Sequence, residues 1–170
     1  KWVINGRKWY ITGAGEAGHF ILIAKTGSDV RSGLTAFLFH RDDPGWRIER
    51  RIGIMGPEEH GGHCELTFDG LTLDDDRILM GKGQGLKVTQ IRLGLARLTH
   101  CMRWLGLARR AVVIAADYAA NRQGFGIKLA DRESIQIKLG QAAMDIEIGR
   151  VMLMRAAWRI EQGSKARQDI

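Results

Sequence analysis

The spacing of the apolar residues changes once along the chain, and that change limits the fold more than any other feature. Up to Arg77 they come in short runs or strict alternation, separated by turn-forming dipeptides, which is the pattern of strands. Past Gly81, Gly83 and Gly85 they recur at three- and four-residue steps over two long stretches, which is the pattern of helices with one apolar face. The expected fold is α+β. Residues 1–80 are expected to form an antiparallel β barrel or sandwich, followed over residues 81–170 by long antiparallel helices of an incomplete four-helix bundle.

In the first part, Trp2-Val3-Ile4 and Lys8-Trp9-Tyr10-Ile11 flank Asn5-Gly6, which predicts a hairpin on a type I′ turn. A bend rich in glycine (Gly13, Gly15, Gly18) leads to Phe20-Ile21-Leu22-Ile23-Ala24, an apolar run expected to be buried on both faces. Thr35 to Phe39 is a further strand, and Asp42-Asp43-Pro44-Gly45 is a turn by composition. Trp46 to Ile52 and Cys64 to Phe68 alternate, and Asp69-Gly70 is expected to turn the chain into Leu71-Thr72-Leu73. About six or seven short strands result.

The second part opens with a helix over Gln84 to Asn121, about 55 Å long at 1.5 Å per residue. Its predicted inward stripe is Ile91, Leu95, Leu98, Met102, Leu105, Val112, Ala116 and Ala119. A second helix over Asp131 to Gln162 carries Ile135, Leu139, Ala142, Ile146, Leu153, Ala156 and Ile160, and Gly163-Ser164 stops it. Two such helices do not bury both stripes by themselves, so two further helices are expected beyond Ile170. Ala142, Ala143 and Gly149 form a small-residue face suited to close helix approach or subunit packing.

Lys and Arg number 26 against 19 Asp and Glu, a net charge of +7. That excess suits a nucleic-acid binder or an enzyme handling polyanionic ligands such as nucleotides or coenzyme A. The cations are spread along the helices with no aromatic-basic interleaving, which argues against nucleic acid. Two distant cysteines, Cys64 and Cys101, point to a reducing compartment without a disulfide framework. No apolar run approaches a membrane span and no signal peptide is visible.

Several groups are candidates for chemistry. Tyr10-Ile11-Thr12 ends a strand with an aromatic and a hydroxyl, suited to a flat ring with polar edge atoms; the plainer reading is an ordinary strand. His60-Gly61-Gly62-His63-Cys64 has metal-ligand residue types but lacks a second cluster, so no metal site is expected, and a mobile or substrate-facing loop remains. Asn121-Arg122-Gln123-Gly124-Phe125-Gly126 separates the helices. It is either a simple turn or a tip whose Arg122 and Phe125 grip an anionic, ring-bearing cofactor. Arg97 and Arg103 lie mid-helix, at the surface or, for Arg97, facing a ligand cleft. His100 and Cys101 point in different directions, and Cys101 is expected to pack in a core.

The series of a strand ending Lys8-Trp9-Tyr10-Ile11-Thr12, a glycine-rich crossing into a long helix, Arg-x-x-Phe-Gly and a second long helix resembles the acyl-CoA dehydrogenases over the whole chain. It looks like their middle β domain plus the first two helices of the C-terminal helical domain. The N-terminal helical domain and the chain end would be absent. His60-Gly61-Gly62-His63, Arg92-Leu93-Gly94 and His100-Cys101-Met102-Arg103 resemble a subgroup that includes members fused to a kinase-like domain and linked to long-chain or 4-hydroxyacyl-CoA substrates.

The resemblance implies FAD as cofactor, with Tyr10, Ile11 and Thr12 against the flavin and the Thr12 hydroxyl at its polar edge. It implies that Arg122 contacts the FAD pyrophosphate of a neighbouring subunit and that Phe125 packs on the cofactor. A cofactor-holding Gln of the family falls near Glu133, with Gln136 one turn on. Arg97 matches an arginine near the acyl-CoA thioester. The implied reaction is α,β-dehydrogenation of an acyl-CoA, with hydride passing to flavin N5 and a carboxylate base removing the α proton. In most members that base lies on a later helical segment, which would fall beyond Ile170, and the position where a minority of members carry it is here Ala96, which cannot act as a base. A homo-oligomer, either dimer or tetramer, an electron-transfer flavoprotein partner and a bacterial cytoplasmic or mitochondrial matrix location are implied too. Related flavin chemistry, as in an acyl-CoA oxidase or monooxygenase, and a non-enzymatic helical interaction module are the alternatives.

Overall fold

The computed structural model of the chain describes residues 1–56 and 60–164. The chain divides into two compact units, Lys1–Gln90 and Ile91–Ile170. Among the described residues the first unit holds β1 (Trp2–Thr12), β2 (His19–Lys25), β3 (Leu34–His40), β4 (Trp46–Ile52), β5 (His63–Leu73) and β6 (Ile78–Leu79). All pairs are antiparallel, in two three-stranded sheets ordered β1-β5-β4 and β2-β3-β6. Among the described residues no ladder joins one sheet to the other, so the barrel admitted by the sequence is not closed. The inward residues of both sheets share one core that includes Ile4, Phe20, Leu22, Phe37, Phe39, Leu66, Phe68 and Leu71. Phe20 stacks on Phe39 at 4.7 Å, and Trp46 meets them edge-on at 4.9 and 5.2 Å. Such ring pairs add about 0.5–1.5 kcal/mol each beyond the area they bury.

Two expected turns are instead one bulge. β1 runs straight through Asn5-Gly6, and β5 runs straight through Asp69-Gly70. Ile4 pairs with Leu71 and Gly6 with Phe68, so Asn5 alone faces Asp69 and Gly70. Gly70 takes φ +77, and its N–H donates to Asn5 Oδ1 at 2.8 Å. A bulge calls for the same positive-φ residue as a tight hairpin. β2 differs too: Phe20 and Leu22 are buried but Ile21 is 60% exposed, because an edge strand of a two-layer packing has only one covered face.

The glycine-rich crossing out of the sheets is closely packed. A Cβ on Gly85 would lie 2.8 Å from the Leu34 backbone, and one on Gly83, at φ +79, 2.7 Å from Ser32 O. The Gly83 N–H donates to the Thr35 hydroxyl at 3.0 Å, which meets Thr26 Oγ1 at 2.6 Å.

Helix α1 (Gly85–Asn121) leads into the second unit, followed by β7 (Gln123–Gly124), β8 (Ile127–Lys128), a 3-10 turn at Leu129–Asp131 and α2 (Glu133–Glu161). Ile135, Leu139, Ala142, Ile146, Leu153 and Ile160 are half-buried and Ala156 is buried, which is the stripe expected for α2. On α1, Leu98, Leu105, Val112 and Ala119 turn inward, whereas Ala116 is exposed and Ile91, Leu95 and Met102 are 58%, 58% and 56% exposed. One neighbouring helix covers only a narrow seam repeating every seven residues, not a wide stripe. The Leu105 side chain lies where a Cβ on Gly149 would meet it at 2.9 Å. Both residues are equally far from the connection, so the helices fold back antiparallel. Among the described residues no helix is long and apolar enough to cross a membrane.

Candidate functional site

The cofactor candidates form two patches, one in each unit. The first lies at the end of β1. Lys8 pairs with Leu66 and Ile11 with Cys64, so Trp9 and Tyr10 together face Glu65 in a second bulge. The extra residue breaks the in-out alternation, and both rings turn outward, 61% and 56% exposed. They stack at 5.6 Å with planes 20° apart. Tyr10 holds φ +56, a conformation that costs an aromatic residue about 1–3 kcal/mol and that tends to mark a functional position. Ile11 turns back and packs against the core. Thr12 is exposed, and its Oγ1 lies 2.9 Å from Nδ1 of its cross-strand partner His63. The His63 ring also lies 6.3 Å from the Tyr10 ring.

Glycines hold this strand end in place. Gly13 N–H donates to Gly62 O at 2.8 Å and Gly15 N–H to Gly61 O at 3.1 Å. A Cβ on Gly15 would strike the Gly61 carbonyl, and one on Gly61, at φ +78, would lie 2.6 Å from Glu16 N. From the far end of β3, the Arg41 guanidinium donates to Ala14 O at 2.6 Å and to Ala17 O at 2.8 Å. The Gly61-Gly62 pair is thus buried and hydrogen-bonded beneath the patch rather than a loose loop. His63 faces Thr12, while Cys64 turns to the opposite face, fully buried, with its thiol 3.5 Å from Gly61 O. Among the described residues no three His, Cys, Asp or Glu side chains gather as metal ligands.

The second patch is the joint between the helices. Gln123 pairs with Lys128 and Gly124 with Ile127, leaving Phe125-Gly126 as a two-residue turn at φ +54 and +83. Those are the angles of a type I′ turn, which favours Asn-Gly. Phe125 stands in it fully exposed, with the Arg132 guanidinium 6.0 Å from its ring centre. Arg132 Nη2 also donates to Gly124 O at 3.0 Å. Arg122 closes α1 through its backbone, donating to Tyr118 O at 2.8 Å and accepting from Leu129 N–H at 2.9 Å, while its side chain is exposed. Glu133 begins α2, where the helix dipole favours a carboxylate. Gln136 Nε2 donates to Ala130 O at 2.8 Å.

Arg97 is exposed on α1 beside half-buried Ala96. Arg103, His100 and Cys101 are exposed as well, and Cys101 does not take the core position expected of it, because it lies off the Leu98–Leu105 seam. For three neighbours of the candidate residues the placement escaped the sequence reading. Trp9 stacks on Tyr10, but nothing local signals the bulge that exposes both. His63 was visible as a metal-ligand type, yet its pairing with Thr12 depends on strand register. Arg132 reaches Phe125 only because the hairpin folds back.

Residues 1–71 match the family described as acyl-CoA dehydrogenase, middle domain, and residues 83–170 match acyl-CoA dehydrogenase, C-terminal domain. The chain is 34% identical over 165 residues to probable acyl-CoA dehydrogenase FadE2 of Mycobacterium tuberculosis, covering 95% of this chain and 40% of that protein. It is 32% identical over 178–179 residues to acyl-CoA dehydrogenase family member 11 of Gallus gallus and Mus musculus, covering 99% of this chain and 23% of each relative. The solved FAD complex of PigA superposes with a TM-score of 0.88 at 26% identity, covering 99% of this chain and 44% of that one. The chain thus spans less than half the length of each, and by both of its matched domains it belongs to the acyl-CoA dehydrogenase family.

Proposed function

We propose that the chain serves an FAD-dependent acyl-CoA dehydrogenase that introduces an α,β double bond into an acyl-CoA thioester. The observation that carries this reading is the pair of aromatic residues, Tyr10 and Phe125, each held exposed at positive φ beside polar groups, in a chain of this family. Strain of that kind persists where the exposed ring has a task, and a planar heteroaromatic cofactor supplies one. The donor set fits: a hydroxyl on Thr12, rings on Tyr10 and Phe125, and an exposed guanidinium on Arg122.

FAD, when bound, supplies the acceptor for the hydride that leaves the β carbon. Tyr10 covers part of the flavin, Ile11 lends its backbone there while its side chain anchors the strand in the core, and the Thr12 hydroxyl meets the flavin's polar edge. Arg122 answers the pyrophosphate charge with a planar fork of donors, and Phe125 packs on the cofactor, in a homo-oligomer. Arg97 binds near the thioester. The carboxylate that removes the α proton is assigned, by the family resemblance, to a later helical segment outside residues 1–170, the alternative family position being Ala96 here. An electron-transfer flavoprotein is the proposed electron acceptor.

The test is a visible absorption spectrum of the holoprotein, followed by anaerobic addition of a saturated long-chain acyl-CoA. A flavin spectrum that bleaches is the expected result. Absence of flavin even after incubation with FAD would remove the reading. Arg122→Ala is expected to weaken FAD binding about ten- to a hundredfold, the worth of about 1.5–3 kcal/mol for a hydrogen bond to a charged group. FAD titration of the refolded apoprotein measures it, and unchanged affinity would take Arg122 out of the site.

A further inference from the structure

We infer that His63 is a positioning residue for Thr12, donating from Nδ1–H to the Thr12 oxygen so that the Thr12 O–H is left free to donate to the flavin edge. This rests on the proposal that Thr12 meets the flavin. The geometry is direct. Thr12 and His63 are paired residues at the end of the β1–β5 ladder, and Oγ1 and Nδ1 are 2.9 Å apart. A threonine hydroxyl has one proton and two lone pairs, while a neutral imidazole has one nitrogen that donates and one that accepts. The pair therefore has two arrangements with opposite consequences. If Nδ1 accepts, the single Thr12 proton is consumed within the protein, and only lone pairs face outward. If Nδ1–H donates, the oxygen is satisfied from behind and its proton is free.

An oxidised flavin presents acceptors at N5 and the neighbouring carbonyl, so only the second arrangement gives an attractive contact. A donor at that edge favours the electron-rich, reduced ring, and a lone pair facing it does the reverse. The surroundings hold the His63 ring in place. Its backbone continues from the buried Gly61-Gly62 pair, Ile52 pairs with it from β4, and the Tyr10 ring stands beside it at 6.3 Å. The same short stretch thus orients the aromatic cover and the hydroxyl.

Two measurements on the holoprotein test the inference. Nitrogen-15 NMR of histidine-labelled protein reads the tautomer directly, and a protonated Nδ1 on His63 is expected. A neutral His63 carrying its proton on Nε2 alone overturns it, whatever the variants do. The second is the rate of flavin reduction by acyl-CoA in Thr12→Val, His63→Ala and the double variant, with FAD content checked in each. Thr12→Val and His63→Ala are each expected to slow reduction, by up to about tenfold for a neutral hydrogen bond, and the double variant to be no slower than Thr12→Val. His63→Asn, whose amide can donate from the place of Nδ1, is expected to recover most of the loss. Additive losses, or His63→Ala reducing at the normal rate while Thr12→Val is slow, overturn the His63 role but leave the Thr12 reading standing. Normal reduction in Thr12→Val removes the Thr12 reading itself. If His63→Ala does not fold, the tautomer and the Asn variant decide.

Discussion

At the scale of single residues, Phe125 shows a local conflict between residue type and backbone. Phe125 occupies a turn position that favours asparagine or glycine, at φ +54 and fully exposed. Phe125→Asn would create the Asn-Gly pair suited to a type I′ turn, so it is expected to stabilise the protein by about 1 kcal/mol while weakening FAD binding. Denaturant unfolding and FAD titration check both halves, and a variant that loses stability would show that Phe125 is not strained. Asp29 carries a different kind of signal. Its carboxylate accepts from Ser32 N–H at 2.6 Å, the Ser32 hydroxyl at 2.8 Å and Arg31 N–H at 2.8 Å. These bonds, the Ser32 backbone first, hold its pKa below the ordinary 3.8. A depressed carboxylate stabilises the loop fully above its unfolded value and loses that contribution as pH falls through the folded one. The Ser32 amide resonance is thus expected to stay unchanged down to about pH 4 and to shift only below it, and Asp29→Asn to abolish the transition. At this scale the proposed cofactor contacts Tyr10, Thr12, Arg122 and Phe125 were legible only as candidates, by residue type and order, and the backbone strain under two of them comes from bulge and turn geometry that no single residue announces.

At the scale of elements, the bend after β1 and the glycine pair before β5 form one lock. Gly15 and Gly61 exclude side chains against each other's segments, so Gly15→Ala and Gly61→Ala are each expected to cost about 2 kcal/mol or more. Because the two share a contact, the double variant should lose less than the sum, and chemical denaturation of all three measures the coupling. Helix and strand identity was legible because hydrophobic period is local: the α2 stripe from Ile135 to Ile160 emerged as expected. The α1 stripe was only half legible. Ile91, Leu95 and Met102 follow the same period as Leu98, but a single neighbouring helix covers a narrow seam and leaves them exposed.

At the scale of the molecule, both long helices carry apolar side chains outside that seam, among them Trp104 at 68%, Val151 at 63% and Trp158 at 60% exposure. Exposed apolar surface on this scale favours association. Residues 1–170 expressed alone are expected to scatter light above the 19.0 kDa of one chain, and Trp104→Lys with Val151→Lys to lower the measured mass. A monodisperse monomer without those changes would contradict this. By itself the sequence determined the strand-then-helix order, the helix bounds to within about two residues and the family, because period and motif order are properties of neighbours along the chain. Only the tertiary structure decided that Asn5-Gly6 and Asp69-Gly70 face one another in a bulge, that Phe125-Gly126 makes the I′ turn, and that His63 meets Thr12. A positive-φ residue serves a hairpin and a bulge equally well, and what chooses between them is the strand that lies alongside.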